Sequence, residues 1–479
     1  MGQGLMRIIV FGTQPHSPHF ETQLEIMQQH IDAGDDVSYV SCDRALPYCD
    51  ANRKCSTLFC LSCVGKRENG LKLLPRGLKQ IRLSDYIQPT VLDDAAIQAA
   101  IDTNAFNTYK VDDYDCGEAV LSSFYSDIGH ICVELGDHLP FLKNALTASI
   151  TIHTAAVELL SNKHYDLAYL FNGRDATGRA WLRACEKTNT PFFVHERGSS
   201  IDSYMLIPNT VPHDVHYRNT EIKTYCDERK DQDQLSVADK FYSRMSKGKM
   251  AHRETNHLKL QNKDLLPDGW NDTNKKKVVF FTSTETERSA LTGFYQKRFY
   301  ADIPDAINRI TSDLNKQGFD GLFGIRMHPN SGKETECMQS RINADQYDFV
   351  ATVLPTSPVD SYSMLKAADI VLVFTSTIGM EACYNGKAVI SLEKSKYNEL
   401  GGSYNPQSHE EVIQWIMQEE LPPLPKDAAI KYGFYTLTFG NKFRFITMKG
   451  QNKCSFMGKK VRSPRWIQHL MMIRRKLGS

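Results

Sequence analysis

The sequence has no apolar run approaching the roughly 18 residues that a membrane-crossing helix needs. That excludes a chain built from membrane spans. Internal repeats and low-complexity tracts are lacking as well, which excludes a solenoid or a largely disordered chain. Cysteine is too sparse and scattered, at 12 in 479 residues, for a disulfide scaffold. The opening Met1-Gly2-Gln3-Gly4-Leu5-Met6 leads straight into an apolar run, Arg7 to Phe11. It has no signal-peptide pattern, and position 6 lacks the Ser or Thr of a myristoylation signal. A soluble cytoplasmic protein is therefore expected. The most informative absence is local. Residues 431–479 contain no Asp or Glu against twelve Lys or Arg, while the remainder carries 45 basic and 56 acidic residues. A basic tail on an acidic body seeks a polyanion such as lipid headgroups, nucleic acid or an anionic polymer.

What is present is ordinary globular material, 41% hydrophobic and 24% charged. The chain is long enough for two cores, because single cores stop growing near roughly 250–300 residues. Arg7 to Gly12 reads as a buried strand, Thr22 to His30 as a helix with Leu24, Met27 and Ile31 on one side, and Asp36 to Val40 as a second strand. The same grammar returns with a strand at Asp166 to Phe171, a helix at Ala176 to Glu186 and a strand at Phe192 to Val194. It restarts after a polar stretch over 245–276. Val278 to Phe281, Gly324 to Met327, Ile370 to Phe374 and Ala388 to Leu392 read as strands, and Ile303 to Leu314, Val359 to Ala367 and Thr377 to Tyr384 as helices. The expected fold is α/β, with two doubly wound Rossmann-like domains facing across a cleft. Its expected boundaries are 1–245, a linker at 246–276, 277–430, and a basic tail at 431–479.

Ligands in such sheets sit at the carboxyl ends of the strands, so the residues there are the candidates. In Ile370-Val-Leu-Val-Phe-Thr-Ser-Thr-Ile-Gly-Met-Glu-Ala382, a buried strand stops at Thr375-Ser376-Thr377 and a helix begins. Ser and Thr cap helices, and free amides at a helix start bind anions. Gly379 permits a close approach by ligand or backbone, and Glu381 could accept hydrogen bonds from ribose hydroxyls. An ordinary capping motif reads the same way. At the end of another strand, Arg326-Met327-His328-Pro329 offers an imidazole and a guanidinium to a phosphate oxygen, or a loop histidine with a structural partner.

The ordered set of His328-Pro329, a helix-strand unit, Ser376-Thr377-x-Gly379-x-Glu381 and Lys387-Ala388-Val389-Ile390 resembles the nucleotide-binding half of GT-B capsule and lipopolysaccharide transferases. Those include Kdo transferases, bacterial sialyltransferases and CDP-glycerol glycerophosphotransferases. The likeness extends over roughly residues 277–420. It implies that His328, Ser376 and Thr377 hold the donor phosphate and that Glu381 meets the ribose. Arg326, Gly379, Thr284 and Glu285 would border the same site. In the N-terminal half, His195-Glu196-Arg197-Gly198 stands where such enzymes place a catalytic base. The sialyltransferase pattern has two acidic residues before glycine, and here Arg197 takes the second place. Glu196 and Asp175 are both candidate bases, and Phe11 to His16 could border the cleft.

The expected activity is transfer of a sugar from a nucleotide-activated donor, CMP- or CDP-linked by preference, to a growing, lipid-linked surface polysaccharide. A non-hydrolysing nucleotide-sugar epimerase is one alternative, and a non-catalytic nucleotide- or polymer-binding partner in polysaccharide assembly is another. No cofactor is expected for catalysis, because no Asp-x-Asp signature lies between a strand and a loop of the cleft. Cys42, Cys49, Cys55, Cys60 and Cys63 cluster in sequence, and Cys49, Cys55, Cys60 and Cys63 are candidate ligands for a structural zinc or else free thiols in a packed loop. The tail segment Ser463 to Lys476 forms an amphipathic helix with Trp466, Leu470, Ile473 and Leu477 on one face. It would meet an anionic membrane surface at the inner face of the membrane or pack back on the N-terminal domain. Nucleic acid is not an expected partner, because stacking aromatics in a recognised module are missing.

Overall fold

The computed structural model describes residues 5–13, 15–75, 77–248, 260–271, 273–286, 288–291, 293–294, 299–328 and 332–476. Gln14, Pro329, Leu477 and much of the polar connection therefore lie outside the described residues. The chain divides into two compact units. One comprises Met1–Asp127, Glu134–Pro212 and Phe439–Ser479, the other Ile128–Val133 and His213–Thr438.

The strands in chain order are β1 (Arg7–Gly12), β2 (Asp36–Ser41), β3 (Lys79–Arg82), β4 (Leu167–Phe171), β5 (Phe192–Arg197), β6 (Ser203–Pro208) and β7 (Lys277–Phe281). After these come β8 (Leu322–Arg326), β9 (Val350–Val353), β10 (Ile370–Val373), β11 (Ala388–Ser391), β12 (Asn441–Lys442), β13 (Ile446–Gly450) and β14 (Lys453–Phe456). In the first unit β3-β2-β1-β4-β5 is parallel, and β6 and β12 extend it antiparallel beyond β5. β1 buries everything after Arg7, as a strand covered on both faces must. Phe11 stacks on Trp181 of the helix Ala176–Lys187 with ring centroids 3.9 Å apart. β1 ends in glycine because a β-carbon on Gly12 would collide with the buried Tyr39 ring.

In the second unit the order is β11-β10-β7-β8-β9, all parallel. Helix Ile303–Lys316 covers the sheet with Ile303, Ile307, Ile310 and Leu314, which recur at helical spacing and are buried. Asp302 caps it by accepting from the Asp305 amide at 3.0 Å, and Pro304 occupies the first turn. Each sheet reverses its strand order once, between β1 and β4 and between β7 and β10. Two doubly wound Rossmann-like units in one α/β chain are thus present, each with a topological switch point at the carboxyl ends of its strands.

The units divide the chain differently from the boundaries expected at 245 and 430. Helices Val215–Asp227 and Gln234–Met245 belong to the second unit. Tyr242 stacks on Tyr384 at 4.1 Å and donates to the Ala429 carbonyl at 2.7 Å, and the Asn219 amide donates to the Ser395 carbonyl at 2.7 Å. The basic tail returns to the first unit. β12 pairs with β6, and the buried Glu25 carboxylate accepts the Arg444 and Phe445 amides at 2.8 Å each. A disulfide joins Cys132 to Cys337 within the second unit, outside the cysteine cluster.

Candidate functional site

The register of the second sheet sets three strand ends at one level: Phe281 pairs with both Val373 and Arg326. What leaves the sheet there is Thr282-Ser283-Thr284, Phe374-Thr375-Ser376-Thr377 and Met327-His328. The Thr282 hydroxyl accepts from the His328 amide at 2.8 Å, which fixes the turn that carries the imidazole. Ser283 is buried, and its Oγ has no hydrogen-bond partner among the described residues. Thr375 and Ser376 are half-buried and Thr377 is exposed. A buried hydroxyl without a partner carries a desolvation cost, which a ligand oxygen would relieve.

The other expected donor residues are placed differently. Arg326 is buried, donates to Ser361 Oγ at 2.8 Å and to the Leu354 carbonyl at 2.5 Å, and keeps Nη2 unpartnered among the described residues. Burial lowers its pKa to about 10. It therefore ties β8 to the segment before β10. Glu285 accepts from Arg288 at 2.7 Å and from the Ile303 amide at 3.2 Å, and its own amide donates to Glu334 at 2.5 Å. Arg288 also pairs with Glu393, and its guanidinium lies 4.7 Å from the centroid of Phe374. One buried arginine thus pairs with two buried carboxyls, and a third, Glu334, is held by the Glu285 amide, with burial raising its pKa to about 7. Glu285 belongs to this packed cluster rather than to an open site.

Gly379 is required by a side chain of the protein itself: a β-carbon there would stand 2.7 Å from Tyr397 Oη, which donates to the Ser376 carbonyl at 2.5 Å. Thr377 precedes the helix Ile378–Tyr384 in helical conformation and makes no side-chain cap, contrary to the capping expectation. Glu381 lines a cavity of 640 Å³ together with Tyr362, Tyr242, Tyr384 and Asp360. Ser376, Thr377 and His328 are not among the lining residues. Tyr362 Oη donates to Glu381 at 2.5 Å, and burial raises the Glu381 pKa to about 7.

The first unit's switch point is built from titratable groups. Glu196 lies inside β5 rather than in a loop after it, pairing with Met205 of β6. Its carboxylate accepts from Asn172 Nδ2 at 3.0 Å and from the Arg197 amide at 2.9 Å, and stands 3.9 Å from His19 Nδ1. Burial raises its pKa. His19 is held neutral by burial and by its basic neighbours His195 and Arg197, and its ring lies 4.2 Å from Phe171. Beside this pair is a cavity of 510 Å³ lined by His16, His19, Lys66, Phe171, Arg197 and Asn452. The Arg197 guanidinium turns away from Glu196, donating to the Gln451 carbonyl and to Asn452 Oδ1 at 2.7 Å each. His19, absent from the expected site, had its signal in the histidine pair of Pro15-His16-Ser17-Pro18-His19, directly after β1.

Asp175, the second candidate base, is committed elsewhere. It caps the helix Ala176–Lys187 by accepting from the Gly178 amide at 2.9 Å, and it shares a hydrogen bond with Asp50. Burial first, then the Asp50 charge, raises its pKa to about 7. Asp50 itself accepts from Tyr48, Ser123 and Thr177.

Among the described residues no three His, Cys, Asp or Glu side chains gather closely enough to hold a metal. Cys55 donates to the Pro47 carbonyl at 2.8 Å, Cys60 accepts from Asn52 at 3.1 Å, and Cys63 lines the first unit's cavity. Burial pushes the thiols of Cys49 and Cys63 up.

No protein-family model matches the chain, and comparison with curated proteins finds no match. Among solved structures it is similar to the β-Kdo 2,4 transferase of Thermosulfurimonas dismutans KpsC, at 11% identity over 64% of this chain and 87% of that one, with a TM-score of 0.36. The β-Kdo 2,7 transferase of the same KpsC gives 14% identity over 67% and 89%, with a TM-score of 0.33. A UDP-GlcNAc 2-epimerase of Methanocaldococcus jannaschii, solved with UDP-GlcNAc and UDP, gives 10% over 89% and 97%, with a TM-score of 0.30. At such scores the fold assignment rests on the strand orders given above.

Proposed function

We propose that the chain is a nucleotide-sugar-dependent glycosyltransferase of surface-polysaccharide assembly. The second unit holds the donor and the first unit the acceptor glycan. The observation that supports this most is the donor-side switch point, where Ser283, His328, Ser376 and Thr377 leave neighbouring strands at one level and Ser283 Oγ lacks a partner among the described residues. Hydroxyls and an imidazole there suit the phosphates of a sugar nucleotide, whose growing charge must be stabilised as the bond to the sugar breaks. On the acceptor side Glu196, oriented by Asn172 and adjoined by His19, takes the proton of the attacking hydroxyl. The hydroxyl oxygen bonds to the anomeric carbon, and the nucleotide phosphate leaves with the electron pair. The acceptor is a lipid-linked glycan, and no metal is assigned a step.

The test is a melting-temperature panel with CMP, CDP, UDP, GDP and dTDP on wild type and on His328→Ala, with cytidine nucleotides first. A ligand at about 100 times its Kd adds roughly 2.7 kcal/mol to stability. One nucleotide should stabilise wild type and do so less in His328→Ala. A flat panel sinks the donor site. Donor binding with interconversion of the free nucleotide sugar, and no transfer, would mark an epimerase instead.

A further inference from the structure

We infer that residues 439–476 form a docking surface for an anionic lipid bilayer and bring the acceptor cavity to that bilayer. Only the word acceptor rests on the transferase reading, because the surface itself stands on exposure and charge. The helix Arg465–Lys476 is seated through Ile467, 2% exposed, through Pro464 against Gly65, and through Asn69, which donates to the Arg462 carbonyl at 2.9 Å. Seated in this way, the helix leaves Trp466 58% exposed, Leu470 45% and Ile473 39%. Their spacing of four and three places them on one helical face. An apolar face of this kind on a soluble surface marks an interaction site.

Charge decides the occupant. No acid occurs from residue 431 onward, and Lys449, Lys453, Lys459, Lys460, Arg462 and Arg465 are all exposed. A helix with Trp and Leu on one side and a basic border matches an interfacial helix on anionic lipid. Tryptophan suits the headgroup boundary. Among the described residues no helix is long and apolar enough to cross a membrane, so the contact is superficial. Between the two strands of the tail hairpin, Gln451 and Asn452 grip Arg197, and Asn452 lines the 510 Å³ cavity. The segment that meets the bilayer therefore also walls the cavity lined by His19, whose ring nitrogen stands 3.9 Å from Glu196, and that cavity is where a lipid-linked glycan would have to enter.

The full chain would be sedimented with vesicles of phosphatidylcholine alone and of phosphatidylcholine with an equal part of phosphatidylglycerol. The same would be done at about 1 M salt, where the Debye length falls to roughly 3 Å. Two variants are compared: Trp466→Ser/Leu470→Ser/Ile473→Ser and Lys459→Glu/Lys460→Glu. All five positions are exposed, so both variants should keep the wild-type melting temperature. Wild type should bind the anionic vesicles, release in high salt, and weaken by roughly tenfold or more in either variant. Wild type left in solution, equal binding to neutral vesicles, or undiminished binding by both variants overturns the proposal. Binding to RNA without binding to vesicles overturns it in favour of nucleic acid. The sedimentation uses no nucleotide sugar, so failure here is independent of failure of the donor panel.

Discussion

The two switch points share a strand order and differ in chemistry. In the first unit the strand ends carry titratable groups, Glu196, His19 and His16, each with its pKa displaced chiefly by burial. In the second the strand ends carry hydroxyls, while the charges nearby, Arg288 with Glu285 and Glu393, are closed into a packed cluster. On the proposed function, one scaffold serves proton transfer in one unit and phosphate binding in the other, according to the residues at the ends of its strands. The division of labour is sharp enough to be broken by single substitutions.

The largest effect should come from Glu196→Gln. A general base contributes about 10²- to 10⁴-fold, and transfer should fall by that amount while the nucleotide-induced melting shift stays. Glutamine keeps an acceptor for Asn172 but loses the oxygen that takes the Arg197 amide, so melting without ligand should move by about 1–2 kcal/mol. Transfer within a few-fold of wild type would remove Glu196 from the chemistry. Next, Arg288→Ala leaves two buried carboxylates uncompensated and should cost about 3–5 kcal/mol in denaturant unfolding. A loss below about 1 kcal/mol would mean that the cluster is not a structural core and that Glu285 is available to ligand.

The acidic groups also separate the sites by pH. Glu381, Glu334 and Asp175 have folded pKa values raised to about 7. A raised carboxyl contributes stability that is fully present below its unfolded pKa and is lost as pH rises through the folded value. Wild type should therefore lose stability between pH 5 and pH 8, each such group contributing on the order of 1–2 kcal/mol. Glu381→Gln should remove its share and flatten the curve measured by urea unfolding. An unchanged slope would show that Glu381 is ionised throughout, the state in which it would best accept from a ribose.

Much of the scaffold was legible because buried parallel strands are written as unbroken apolar runs. β1, β4, β7, β10 and β11 stand within a residue or two of their expected limits, as does the helix Ile303–Lys316. What escaped were pairings across long stretches of chain. Polar His195-Glu196-Arg197 reads as a loop, yet the antiparallel β6 holds it in the sheet. Arg288 meets Glu285 on its own turn, but Glu393 comes from after β11. Helix Gln234–Met245 carries no mark that Tyr242 will stack on Tyr384. Nor does the tail show that Glu25 will receive its amides. The local strand-to-helix signals were readable at Ser376 and Thr377, whereas the reason for Gly379 lay in Tyr397, beyond β11.

The smallest effect on stability is the most diagnostic for the donor site. Ser283→Ala removes a buried hydroxyl that has no partner among the described residues, so nothing is left unsatisfied by its loss. Unliganded melting should move by no more than about 0.5 kcal/mol, and upward if at all, because an unpaired polar group costs free energy to bury. If the hydroxyl faces the nucleotide phosphate, the nucleotide-induced shift should shrink by the worth of a hydrogen bond to a charged group, about 1.5–3 kcal/mol. If the shift is untouched, Ser283 points elsewhere, and phosphate binding at this switch point falls to His328, Ser376 and Thr377 alone. A clear loss of unliganded stability would mean instead that the hydroxyl has a partner in the native protein, and the comparison between hydroxyl-bearing and titratable strand ends would lose its firmest residue.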